Sequence, residues 1–309
     1  MPASPTALPQ AAVSPDQAVA LMRRYGDGDL QAFEELFAQH ARAVYDFFYY
    51  MTHSREQAVQ LSQHAWLRVR KRRSELADQA RFLPWLFGQV AQVRRERSPA
   101  ATADMAAADK ATALSAPELS VDIPADSVDA PLHRALAAMA ESYREVLVLH
   151  RLSGLGFADI AVALGATEAA VKARALQGYC QAADSAHRPA EPAAALPPLS
   201  RCPETEKLIN LVGAQPEQLK SEPLSILSRH TQDCPLCEVT QRKVAAGHQA
   251  LGQLAALARP ETAVLEQIAR AVLPAVAHDL EAQRSGWAIA LALLSVVLLA
   301  VTVARLLMH

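Results

Sequence analysis

The run "GLGFADIAVALGATEAAVKARALQGY", Gly154 to Tyr179, decides the fold. Phe157, Ile160, Ala161 and Leu164 recur at i, i+3, i+4 and i+7, so one face of a short helix is apolar. Gly165 permits a left-handed turn, and the Thr167 hydroxyl can cap the helix that follows. Val171 and Leu176 would anchor that second helix while Lys172 and Arg174 face outward. This is the anatomy of a helix-turn-helix, whose second helix enters the major groove of DNA. An ordinary helical hairpin in a bundle core would carry the same stripe.

Composition agrees with a helical chain. Of 309 residues, 51% are hydrophobic, much of that alanine, and only 5% are aromatic. Alanine is the best helix former, and long β-branched or aromatic runs are scarce. The expected fold class is all-α. Net charge is only -2, so any nucleic-acid surface must be local. Residues 1–20 lack a basic start followed by an apolar core, which argues against a secretory signal and for a reducing compartment. There clustered thiols bind metal more often than they form disulfides.

Residues 1–19 read as a disordered leader rich in Pro, Ala and Ser. Helical periodicity then runs through Leu30, Phe33, Leu36, Phe37, Val44, Phe47 and Phe48. A second run carries Ala58, Leu61, Ala65 and Val69 and ends in "RVRKRR", Arg68 to Arg73, with five cations in six residues. A third run, around Phe82, Trp85, Leu86 and Val93, closes in "RRER", Arg94 to Arg97. Together residues 20–97 form one small helical domain with basic helix ends. Residues 98–130 hold six acids and one base without an apolar stripe, a flexible acidic linker. Residues 131–185 hold the helix-turn-helix domain, and 186–200 are a Pro/Ala linker.

The segment "HTQDCPLC", His230 to Cys237, has metal-ligand spacing. With the upstream cysteine it reads Cys202, His230, Cys234 and Cys237, three thiolates and one imidazole, the set of a tetrahedral zinc site. Zinc, structural or redox-sensing, is the expected cofactor. If Cys202 were a bystander, three ligands would leave an open catalytic position, but no Glu stands where a general base would be needed. A helical segment at 259–286 precedes an uncharged stretch, Trp287 to Ala304, about 27 Å long as a helix. A transmembrane helix over 287–308 is therefore expected. With it goes a single-pass, tail-anchored location in the cytoplasmic membrane, the N-terminal domains inside.

Several of these segments share one resemblance. "SYREVLVLHRLSGLGFADIAVALG", Ser142 to Gly165, resembles region 4 of the extracytoplasmic-function (ECF) sigma factors of bacterial RNA polymerase. "GDGDLQAFEELFAQHARAVYDFFY", Gly26 to Tyr49, and "FLPWLFGQVAQVRR", Phe82 to Arg95, resemble their region 2. The likeness covers roughly residues 20–97 and 131–181, in the family's order with a linker between. It implies that region 2 grips the polymerase clamp and opens the -10 element, while region 4 reads the -35 element. The expected partners are core RNA polymerase and promoter DNA. The expected DNA contacts are Thr167, Glu168, Lys172 and Arg174 on the recognition helix, and Trp66, Arg70, Lys71, Arg94 and Arg95 in the first domain. Leu61 and Gln63 fall in the clamp-binding helix. Residues 201–258 resemble the zinc-binding anti-sigma domain, mainly through the four ligands, which implies an intramolecular contact between this module and the sigma-like domains.

Two departures temper the likeness. "AVQLSQ" has Val59 and Gln60 where relatives usually carry an acidic pair, removing charge-assisted contacts to a basic partner. "AAVKAR", Ala169 to Arg174, lacks two hydroxyls, and each lost hydrogen bond costs about 1 kcal/mol. The expected function is a non-enzymatic sigma factor held in check in cis by the zinc module and the membrane tether. The alternative is a degenerate sigma-like scaffold or anti-sigma decoy that starts no transcript.

Overall fold

The computed structural model describes residues 15–72, 75, 81–97, 135–187, 202–211, 221–255 and 262–282. Among these residues every regular element is helical, as expected. The linker at 98–130 and most of that at 186–200 lie outside the described residues.

Four helices build the first lobe: α1 (Pro15–Gly26), α2 (Leu30–Thr52), α3 (Arg55–Lys71) and α4 (Phe82–Arg97). Helix α1 begins inside the segment expected as a leader, because Ala18, Leu21, Met22 and Tyr25 form a continuous apolar stripe that is buried. Asp29 starts α2 by accepting from the Ala32 amide, and Ser54 starts α3 by accepting from the Gln57 amide. The core is aromatic: Phe33 and Phe37 pack on Trp66 at centroid distances of 5.8 and 5.0 Å, and Phe47 meets Phe87 at 6.2 Å.

The second lobe is α5 (Glu141–Arg151), α6 (Phe157–Leu164) and α7 (Glu168–His187). Gly165 ends α6 in the left-handed conformation (φ 65°), and Thr167 Oγ1 accepts from the Ala170 amide, 3.2 Å away. Ile160, Ala161, Leu164, Val171 and Leu176 are all buried. The helix-turn-helix is built by the residues whose spacing announces it.

A 3₁₀ turn (Thr205–Leu211), α8 (Glu222–Asp233) and α9 (Pro235–Ala255) form a third unit. A last helix, α10, spans 262–282. The units are packed together. Helix α4 lies against α6, α9 lies along α7, and α10 meets α3 through Arg70 and Asp279, 3.0 Å apart.

One part of the expected architecture is corrected. Among the described residues, no helix is long and apolar enough to cross a membrane. The two longest elements with named bounds, α2 with 23 residues and α9 with 21, carry Glu34, Glu35, Arg42 and Asp46, and Glu238, Arg242 and Lys243. Charge of that density makes them surface helices of a packed protein. The expected span at 287–308 lies outside the described residues. Over the described residues the fold is all-α with no helix able to cross a membrane, so the expected membrane helix and the tail-anchored location drawn from it are not carried forward.

Candidate nucleic-acid interface and metal centre

The recognition helix presents its expected residues unevenly. Thr167 and Glu168 are exposed, while Lys172 and Arg174 are half-buried. Lys172 pairs with Glu168 one turn earlier at 2.8 Å. The C-terminal half of α7 is covered: Gly178, Tyr179 and Cys180 are buried, with α9 packed along the helix.

The cations of the first lobe are largely engaged within the protein. Arg68 donates to both carboxylate oxygens of Glu96, at 2.8 and 2.9 Å, and to Gln89. Arg72 pairs with Glu75. Arg70 pairs with Asp279 and donates to the Ala275 carbonyl of α10 at 3.0 Å. Lys71 is exposed, and Arg95 is half-buried with donations to Gln92. Leu61 is buried and Gln63 partly exposed. Trp66 is 1% exposed, deep in the aromatic core, rather than on a surface where a base can stack.

Arg94 is the largest departure from expectation. It is 5% exposed and grips two acids of the second lobe, Glu141 and Glu145, the latter 3.1 Å away. Beside it, buried Arg144 donates to His53 Nε2 at 2.7 Å. His53 ends α2 in the left-handed conformation (φ 52°), unusual for a residue with a side chain. Burial first, then the charge of Arg94, pull the Arg144 pKa down to about 10, so it stays a cation at neutral pH. These side chains seal a buried polar contact between the lobes. Sequence alone does not reveal it, since Arg94 and Glu145 are 51 positions apart.

The third unit brings Cys202, His230, Cys234 and Cys237 together. Their ligand atoms all lie within 4.8 Å of one another. Cys202 Sγ is 3.4 Å from His230 Nε2 and 3.5 Å from Cys237 Sγ. Zn–S bonds of about 2.3 Å in a tetrahedron put ligand atoms roughly 3.8 Å apart, so the donor set fits zinc. Three of the four are placed by helix boundaries. His230 lies in the last turn of α8, Cys234 caps that helix, and Cys237 lies in the first turn of α9. The Cys237 amide, donating to Cys234, leads the interactions that hold the Cys234 thiol below its ordinary pKa, which favours a thiolate. Burial pushes the Cys237 thiol up to about 12, because a buried thiolate loses its hydration.

This unit seats on the second lobe through contacts no motif advertises. Lys243 pairs with Asp184 at 2.9 Å, and Arg151 donates to His248 Nε2 at 2.9 Å. Gly247 lets the two helices touch, because an added Cβ there would lie 2.8 Å from the Tyr179 carbonyl carbon and nearer still to its oxygen.

The family described as "Sigma-70, region 4" matches residues 129–179, the helix-turn-helix lobe. Over 165 residues the chain is 33% identical to RNA polymerase sigma factor CarQ of Myxococcus xanthus, covering 51% of this chain and 91% of that protein. No solved structure matches.

Proposed function

The chain belongs to the RNA polymerase sigma factors of the extracytoplasmic-function type, and on that premise we propose that its own C-terminal metal module holds it inactive. A sigma factor acts in transcription initiation by binding, without enzymatic chemistry of its own. The first lobe would engage core polymerase through the α3 face carrying Leu61 and Gln63, and hold opened promoter DNA through Arg70, Lys71, Arg94 and Arg95. The second would read the upstream element through Thr167, Glu168, Lys172 and Arg174.

The observation that carries cis control is the seating of α9 on α7. Gly247 against Tyr179 removes the C-terminal half of the recognition helix from partners. Two further contacts support the reading. Arg94 is committed to Glu141 and Glu145, and Arg70 to α10, so cations that phosphate would need are occupied. Opening the protein would return them to the surface.

Cys202, His230, Cys234 and Cys237 would hold one zinc ion, which supplies a structural cross-link between the 3₁₀ segment, α8 and α9. Loss of the ion would loosen α9 and with it the seal. The test is in vitro transcription with core polymerase over a promoter library. Wild-type full-length protein should initiate weakly and a seating variant, Gly247→Ala, strongly. Equal, measurable initiation by both sinks cis control. Silence of both, with no polymerase bound, favours a sigma-like scaffold.

A further inference from the structure

Helix α5 carries two arginines seven residues apart, and each donates to a histidine of another unit: Arg144 to His53 and Arg151 to His248. In both bonds the guanidinium can only donate, so the ring nitrogen must accept. An imidazole accepts only while neutral. Of these two bonds, the one to His248 joins the metal module to the second lobe, beside the Lys243–Asp184 pair and the Gly247–Tyr179 approach.

The surroundings of His248 are unfavourable to a proton. From α5, Arg151 and His150 face its ring; from α7, Tyr179 packs on it at a centroid distance of 5.6 Å. On its own helix, Lys243 is engaged by Asp184 of α7. Among the described residues, neither of the charged groups that act on the ring, Arg151 and His150, is a carboxylate. A proton on Nε2 would remove the acceptor and set an imidazolium against Arg151, 2.9 Å from its guanidinium nitrogen. His248 is half-buried, so solvent protons reach it. His150 differs: its Nδ1–H donates to the Leu155 carbonyl at 2.8 Å, a bond that survives protonation.

We propose that His248 is an acid-sensitive latch, whose neutral ring holds the metal module on the helix-turn-helix lobe and whose protonation releases it. The proposal rests on the cis-control reading above and adds the signal that acts on it. Burial, then the Arg151 and His150 charges, hold the His248 pKa below its ordinary 6.5 while the module is seated. The seated state therefore binds fewer protons than the released one. Seating is complete above the released ring's pKa and weakens as pH falls from about 6.5 toward the seated value. One proton changes the equilibrium by at most about tenfold per pH unit.

The experiment uses the full-length protein between pH 7.5 and 5.5. Seating is read from hydrogen exchange of the α9 amides, normalised for intrinsic exchange, and the His248 ring is titrated by NMR. In wild type, opening should rise by up to about tenfold per pH unit below pH 6.5. His248→Gln keeps an acceptor for Arg151 that does not titrate, so its opening should stay flat. His248→Lys should be open even at pH 7.5. A wild type as flat as His248→Gln, or both opening in parallel, overturns the latch. Polymerase capture by Gly247→Ala at pH 7.5 tests cis control separately. Capture unchanged from wild type means the module does not block polymerase, and the latch falls as a control on polymerase. Capture that rises in Gly247→Ala while wild-type seating ignores pH overturns the latch alone.

Discussion

Replacing Gly247 with alanine should pry the metal module from the helix-turn-helix lobe. The new Cβ would lie 2.8 Å from the Tyr179 carbonyl carbon and 3.1 Å from its Cα. Carbon atoms at rest sit about 3.5–4.0 Å apart. The helices must therefore separate by roughly 1 Å, since the obstacle is backbone and cannot rotate away. Overpacking of this kind costs about 1–3 kcal/mol. That lowers the seating equilibrium by about 5- to 150-fold, at 1.4 kcal/mol per decade. The same change favours helix α9 itself by about 1 kcal/mol, because glycine is a poor helix residue. Loss of α9 structure is thus not the expected outcome. Hydrogen exchange in α7 and α9 reports the seating directly, and capture of core polymerase reports its consequence. If Gly247→Ala leaves exchange at the level of wild type, the close approach of the two helices does not control seating and the reasoning is refuted.

Other perturbations test other joints. Cys237→Ser should abolish stoichiometric zinc binding and remove on the order of 10 kcal/mol of metal-linked folding energy from the third unit, read as lost helicity matched by chelator treatment of wild type. Glu145→Gln leaves buried Arg94 with Glu141 alone; breaking a buried pair from one side costs about 3–5 kcal/mol, so the urea midpoint of the two-lobe contact should fall. Asp279→Asn removes the ion pair on Arg70, leaving its bond to the Ala275 carbonyl, at a cost of under about 1 kcal/mol because Asp279 is nearly half exposed; non-specific DNA binding should tighten slightly, with a steeper salt dependence.

The helix-turn-helix was legible in the sequence because its information is local. A stripe at Phe157, Ile160, Ala161 and Leu164, a glycine at 165 and a capping threonine at 167 lie within one short segment. The Cys/His cluster was legible for a related reason: chelation would constrain residue type as well as spacing, and the three later members fall within eight residues. What escaped was contact between units. Arg94 looks like a phosphate ligand until Glu141 and Glu145 arrive from across the linker. Gly247 looks like a helix defect until Tyr179 lies beneath it. Trp66 sits one turn from a basic run and looks like a base-stacking platform, yet Phe33 and Phe37 claim it for the core. An apolar tail suggested a membrane span, but among the described residues no helix is suited to one. Nothing in local periodicity tells a side chain facing solvent from one facing another domain of its own chain.

The account turns on whether the module masks the sigma lobes from polymerase. The most direct measurement is the affinity of core RNA polymerase for the full-length protein, wild type against Gly247→Ala, at neutral pH. The account predicts at least about a fivefold gain for the variant, the low end of the seating loss worked out above. Equal affinities, with the module shown by exchange to be unseated in the variant, would contradict it.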